Sequence, residues 1–227
     1  MTATSSRWLT DDVWPTWGSP PAARLLNGDE SIDGTATVRD FWAWSMSDLR
    51  ANTVRSVLAE CLVARALGAT HRPRIEWDAY DVVTSDGLKL EAKSGAYLQA
   101  WEQSRLSTVT FGGLRARTWS STERYSEAGT YNVDGYVFAV LTATEHSSYD
   151  ALDVGQWSFW VLPRNVLAAR DQHSIRLSRV EALAGPPVAY AGLAQRVATS
   201  SVVSEPDCTQ PTRRSRKRWV SGSVECR

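Results

Sequence analysis

Residues 74–93 read RIEWDAYDVVTSDGLKLEAK, and the reading of this stretch decides the fold class. Two strand-like runs, 74–84 and 88–93, flank Ser85, Asp86 and Gly87, where glycine accepts the positive φ that a tight hairpin turn needs. Side chains alternate across a strand, so Glu91 and Lys93, two positions apart, share a face. The partner strand carries Asp81. If Ser85, Asp86 and Gly87 form a three-residue turn, Asp81 stands opposite Glu91; if Asp86 and Gly87 turn alone, Asp81 rotates to the other face and Asp78 joins Glu91 instead. Asp81 is favoured, because the apolar Val82 and Val83 follow it and it lies nearer to Glu91, with Asp78 as the alternate.

Working outward, residues 52–67 read as a helix, with Asn52 as N-cap, an apolar face of Val54, Val57, Leu58, Cys61 and Leu62, and Gly68 as the stop. Glu60 sits on this helix with Ser56, Val57, Val63 and Ala64 as its neighbours three and four residues away, none of which neutralises it. Its partner must come from elsewhere in the fold. Residues 135–141 (GYVFAVL) and 156–162 (QWSFWVL) read as buried strands, the second ending at Pro163. Ser178 and Glu181 have the spacing of a capping box for a short helix. The intervening 112–134 stretch reads as a long, mobile loop carrying Arg115, Arg117 and Arg124. These arginines, with Arg105, are candidates to clamp a phosphate backbone, weighed evenly against generic surface charge.

Two carboxylates side by side repel one another and raise a pKa, a cost relieved when a hard, oxygen-seeking cation such as Mg²⁺ bridges them. Such an ion polarises a phosphoryl oxygen and acidifies a water, while an adjacent lysine orients the water or offsets charge on the phosphate. Lysine is scarce here: Lys89, Lys93 and Lys217 stand against 22 arginines. The sequence uses arginine where any positive charge serves, so Lys93 reads as a chosen residue, its ammonium able to shift pKa where a guanidinium cannot. An acid-x-Lys triplet alone is weak; its place opposite an aspartate on a hairpin gives it weight.

Taken together, a helix with Glu60, then Asp81, then Glu91-Ala-Lys93 resembles the PD-(D/E)XK superfamily of restriction-endonuclease-like nucleases. The likeness extends into Ser94-Gly-Ala-Tyr97-Leu-Gln99-Ala-Trp101, similar to a stretch after the E-x-K in actinobacterial and phage members, and into the later strands, covering roughly residues 52–198. Tyr80 stands where the family's proline precedes the aspartate. The resemblance implies an α/β fold with a restriction-endonuclease-like core, a mixed β-sheet flanked by helices. It implies catalytic Asp81, Glu91 and Lys93, an accessory Glu60, Mg²⁺ on Asp81, Glu91 and Glu60 with Mn²⁺ able to substitute, and a substrate contact at Gln99. The expected activity is Mg-dependent endonuclease hydrolysis of DNA phosphodiester bonds. The alternative is a catalytically inactive nucleic-acid- or protein-binding module on the same fold.

Composition bounds the rest. The chain has 227 residues with 25 basic and 25 acidic side chains, so no global field draws it to nucleic acid. Residues 1–46 read as an irregular Trp-rich arm laid over a core, 47–198 as the nuclease-like domain and 199–227 as a disordered basic tail containing Arg213, Arg214, Arg216, Lys217 and Arg218. Cys61, Cys208 and Cys226 fall in no metal or disulfide spacing. No apolar run reaches bilayer length and no secretion signal opens the chain, so a cytoplasmic protein with DNA as partner and no membrane partner is expected. A homodimer is compatible with this reading.

Overall fold

A computed structural model describes residues 23–76, 78–117, 119–120 and 124–201. In chain order the main elements are α1 (Val38–Met46), α2 (Asn52–Ala66), β1 (Val82–Val83), β2 (Lys89–Ala96), β3 (Thr110–Phe111), β4 (Trp119–Ser120), β5 (Arg124–Tyr125), β6 (Gly135–Leu141), β7 (Trp157–Pro163), α3 (Arg164–Ala168), β8 (Ile175–Arg176), α4 (Leu177–Ala184) and α5 (Leu193–Ser201). The principal sheet has the order β1-β2-β6-β7 and is mixed: β2 and β6 run parallel, the two outer pairings antiparallel. Two small antiparallel pairs, β3 with β8 and β4 with β5, complete a mixed α/β architecture.

The sheet is covered on both faces, which is why the central strand β6 is buried along its whole length and reads as a continuous apolar run. On one face Leu90, Ala92 and Ala96 of β2 pack with Ala59, Leu62 and Val63 of α2 and with Leu193 and Val197 of α5. On the other, Tyr136, Phe138 and Val140 of β6 meet Phe111 of β3, Leu167 of α3 and Val180 of α4. Each fully buried side chain of this size is worth about 1.5–3 kcal/mol, so the two cores fix the sheet between its layers.

Several expectations change in detail. The first hairpin arm is short: only Val82 and Val83 form strand, and among the described residues 74–76 and 78–81 are irregular, with Ile75, Glu76 and Asp78 exposed. β2 instead runs three residues beyond Lys93. On α2 the N-cap is Ala51, Asn52 being the first helical residue, and the inward face is Arg55, Ala59, Glu60, Leu62 and Val63 while Cys61 is exposed. The buried face therefore carries two charges and an alanine, which an apolar count misses. α4 begins at Leu177 without a side-chain cap, so Ser178 lies inside the first turn and the anticipated Ser178–Glu181 box does not form. A capping box occurs instead at Thr37 and Asp40, giving the arm a helix, α1. None of α1 is buried and Trp44 is 84% exposed, so this part of the arm is not laid over a core. Strands β4 and β5 occupy part of the expected 112–134 loop, and α5 extends to Ser201, past the expected domain end. Residues 1–22 of the arm, the basic tail from 202 onward, Cys208 and Cys226 lie outside the described residues. Among those described, no helix is long and apolar enough to cross a membrane.

Candidate active-site cleft

The hairpin register is the one set by the three-residue turn: Val82 pairs with Leu90 and Val83 with Lys89, and Thr84 N–H donates to the Leu88 carbonyl at 3.0 Å. Gly87 takes φ +90°. The ladder then ends. Asp81 N–H donates to the Leu90 carbonyl at 3.0 Å and the chain leaves β2, so beyond Leu90 this edge of β2 has no partner strand among the described residues. Asp81 compensates for part of the loss, its Oδ2 accepting the Ala92 amide at 2.8 Å. The open edge becomes the floor of a cleft of about 330 Å³ between α2 and β3.

Four sequence-predicted residues line this cleft: Glu60, Asp81, Glu91 and Lys93. Glu91 and Lys93 share a face as their spacing requires, with Lys93 Nζ 2.7 Å from Glu91 Oε1 and side chains 20% and 22% exposed. Glu60 comes from α2, whose Ser56 meets Ser94 of β2 through their hydroxyls at 2.9 Å and so pins helix to strand. The opposite wall depends on Gly95. A β-carbon there would lie 2.5 Å from Val109 Cγ1, so only glycine lets the 109–112 segment cross β2 and bring Thr110, Phe111 and Gly112 to the cleft.

The fifth charged member, Arg74, was not singled out from the sequence. Its Nε donates to Glu60 Oε2 and its Nη2 reaches Oε1 at 3.4 Å, supplying the partner that Glu60 lacks on its own helix. In the extended strand expected for 74–84, Arg74 would lie about 23 Å from Asp81. The irregular path of 74–81 brings both into one cleft, a return that no local sequence signal marks.

The electrostatics are those of a crowded acidic site. Burial raises the pKa of all three carboxyls. For Glu91, the neighbouring Asp81 charge raises it further and Lys93 pulls it back. For Asp81, the Ala92 amide is the chief opposing influence, followed by Lys93 and Arg74. For Glu60, Arg74 opposes burial while Asp81 adds to it. The lining carries three acids against Arg74 and Lys93, an excess of one negative charge.

Other candidates lie elsewhere. Asp78 is exposed and does not line the cleft, and neither does Gln99. Gln99 is buried, donating from Nε2 to the Ala96 carbonyl at 3.0 Å and facing Arg55 Nη2 at 3.5 Å. Its polar atoms are occupied inside the protein. Arg115 is held by Asp171 at 2.7 Å and by the Gly129 carbonyl at 2.9 Å, while Arg105 and Arg117 are exposed away from the cleft; the Arg124 side chain lies outside the described residues.

The donor chemistry fits a hard divalent cation, since the acids offer only carboxylate oxygens and no histidine or cysteine lines the cleft. As placed, these acids are engaged by Arg74, Lys93 and the Ala92 amide, and no three His, Cys, Asp or Glu side chains among the described residues stand close enough to hold an ion together. Binding at one shared point therefore requires Glu60 and Glu91 to loosen their ties to Arg74 and Lys93, while Asp81 can keep the Ala92 amide on Oδ2. The chain matches no protein-family model and no curated protein.

Proposed function

We propose that the protein is a Mg²⁺-dependent nuclease that hydrolyses DNA phosphodiester bonds on a restriction-endonuclease-like core. The observation that carries this reading is the convergence of Asp81, Glu91, Lys93 and Glu60, from the loop before β1, from β2 and from α2, on one open cleft. Asp81 and Glu91 are the residues that would hold the cation, with Glu60 accessory to them. The bound ion supplies Lewis acidity toward a phosphoryl oxygen and a water made easier to deprotonate.

The chain's own side chains supply the remaining requirements. Lys93, released from Glu91, places an ammonium beside the phosphate, where it offsets the charge that develops during hydrolysis and orients the attacking water. The Ala92 amide holds Asp81 in position through Oδ2, and the Ser56–Ser94 contact fixes the spacing between α2 and the β2 edge. The cleft is open along the unpaired edge, which suits a polymer passing through better than an enclosed small molecule.

The test is direct. Purified protein is incubated with supercoiled, linear and single-stranded DNA in Mg²⁺, Mn²⁺ or EDTA. Cleavage that requires the divalent ion is the expected result. Intact DNA under every condition, together with no Mn²⁺ site by calorimetry, would reduce the cleft to an ion-pair cluster. A Mn²⁺ site without cleavage would favour the binding-module alternative.

A further inference from the structure

Each cation in the cleft is already spoken for: Arg74 by Glu60 and Lys93 by Glu91. A phosphate approaching this arrangement meets an excess of negative charge and no unpaired cation among the lining residues. A divalent ion arriving at the carboxylates reverses the balance, leaving one net positive charge in the same cleft. It competes with Arg74 for Glu60 and with Lys93 for Glu91, because each carboxylate has a limited set of lone pairs and both cations are partly exposed and able to swing away.

Arg74 differs from Lys93 in how it is placed. It comes from the irregular 74–81 segment, not from the sheet, and its side chain is 38% exposed against 10% for Glu60. The acid is fixed on a buried helix face, while the guanidinium lies outside any strand, seven residues before the Asp81 N–H that bonds to β2, so Arg74 is the partner that moves. A guanidinium that leaves a carboxylate finds an equivalent two-pronged acceptor in a phosphodiester.

Resting on the nuclease reading, we infer that Arg74 is a transferable counter-ion: it neutralises Glu60 while the cleft lacks metal and passes to a backbone phosphate of the DNA when the divalent ion takes the carboxylates. It is therefore a substrate-binding residue whose availability depends on metal. Metal and DNA bind cooperatively in consequence, each favouring the release that the other needs.

The test measures Mn²⁺ affinity by calorimetry without DNA, in wild type and Arg74→Gln, with circular dichroism to verify folding. Removing the competitor should tighten Mn²⁺ binding about threefold to tenfold. In a Lys93→Ala background, where a short fluorescent duplex stays intact, adding Arg74→Gln should weaken duplex binding in Mn²⁺ about tenfold, with Arg74→Lys recovering part of the loss. Unchanged or weaker Mn²⁺ binding in Arg74→Gln would show that the arginine merely props Glu60, and would overturn the inference while leaving the nuclease reading intact. If wild type itself has no Mn²⁺ site, the nuclease reading fails first and this one with it. Should Arg74→Gln not fold, Glu60→Gln serves instead: freeing the guanidinium should tighten duplex binding in EDTA, and no change would overturn the proposal.

Discussion

Two clusters of charged and polar side chains lie along α2, and they differ in what they hold together. Near the helix start, Arg55 is buried, donating to the Arg50 carbonyl at 2.8 Å, to Asn52 and toward Gln99, while Tyr149 OH donates to the Leu49 carbonyl close by. Five residues further along α2, Glu60 opens into the cleft with Asp81, Glu91 and Lys93. The first cluster joins a cation to neutral acceptors and backbone carbonyls in a closed interior. The second packs three acids around an open volume, where burial raises each carboxyl pKa and the fold gains nothing from the crowding. A buried cation spread over neutral acceptors, with the Arg55 Nε alone of its guanidinium nitrogens left without a partner among the described residues, specifies structure; like charges held together against their preference mark a place for a ligand.

The comparison is broken most decisively at Lys93. On the proposed mechanism Lys93→Ala lowers divalent-dependent cleavage roughly a hundredfold to ten-thousandfold, and Glu91→Ala does at least as much by removing a ligand. Plasmid-nicking rates and urea midpoints, measured side by side, check that the loss is not one of folding. Cleavage that survives both changes would move the chemistry out of this cleft.

The closed cluster should behave in the opposite way. Arg55→Ala removes a buried guanidinium and strands its acceptors, which costs about 2–3 kcal/mol of stability. Mn²⁺ affinity at the cleft should stay unchanged, since Arg55 does not line it. Gln99→Leu should follow the same pattern more mildly, and a selective loss of DNA affinity there would return Gln99 to the substrate side of the comparison.

A subtler contrast is in pH. Because the cleft carboxyls titrate above their unfolded values, the stability they lend is full below the unfolded carboxylate range, about pH 4, and is lost as pH rises through the raised folded values. Asp81→Asn removes that loss while its side-chain oxygen still accepts the Ala92 amide. The variant should thus unfold at higher temperature than wild type near neutral pH, and the advantage should vanish toward about pH 4. The same sign makes Mn²⁺ affinity fall on acidification, because the ion must displace protons. The smallest effect belongs to Asp78, which lies exposed outside the cleft. Asp78→Asn should leave cleavage within about twofold of wild type.

How much of this was legible in advance follows from how far each signal reaches along the chain. The turn at Ser85, Asp86 and Gly87 is local chemistry, and it set a register in which Asp81 reaches Ala92 beside Glu91. The two-residue alternation that puts Glu91 and Lys93 on one face is equally local, and so are the apolar runs that became β6 and β7. Gln99 misled because a polar residue near a motif looks the same in sequence whether it faces a ligand or a buried arginine. The inward face of α2 misled for a related reason, since the partners of Arg55 and Glu60 include Gln99 and Arg74, 44 and 14 residues away in the chain.

Sequence by itself determined β6, β7 and the start of β2, the turn and the pairing of an acid with a lysine, all of which depend on neighbours within a few residues. Tertiary structure alone decided that β1 begins only at Val82 and leaves an edge open, that Gly95 admits the 109–112 wall, and that Arg74 returns to neutralise Glu60. Those outcomes depend on which surfaces meet across the fold, and the free energy of such contacts belongs to pairs of distant residues that neither member reveals alone.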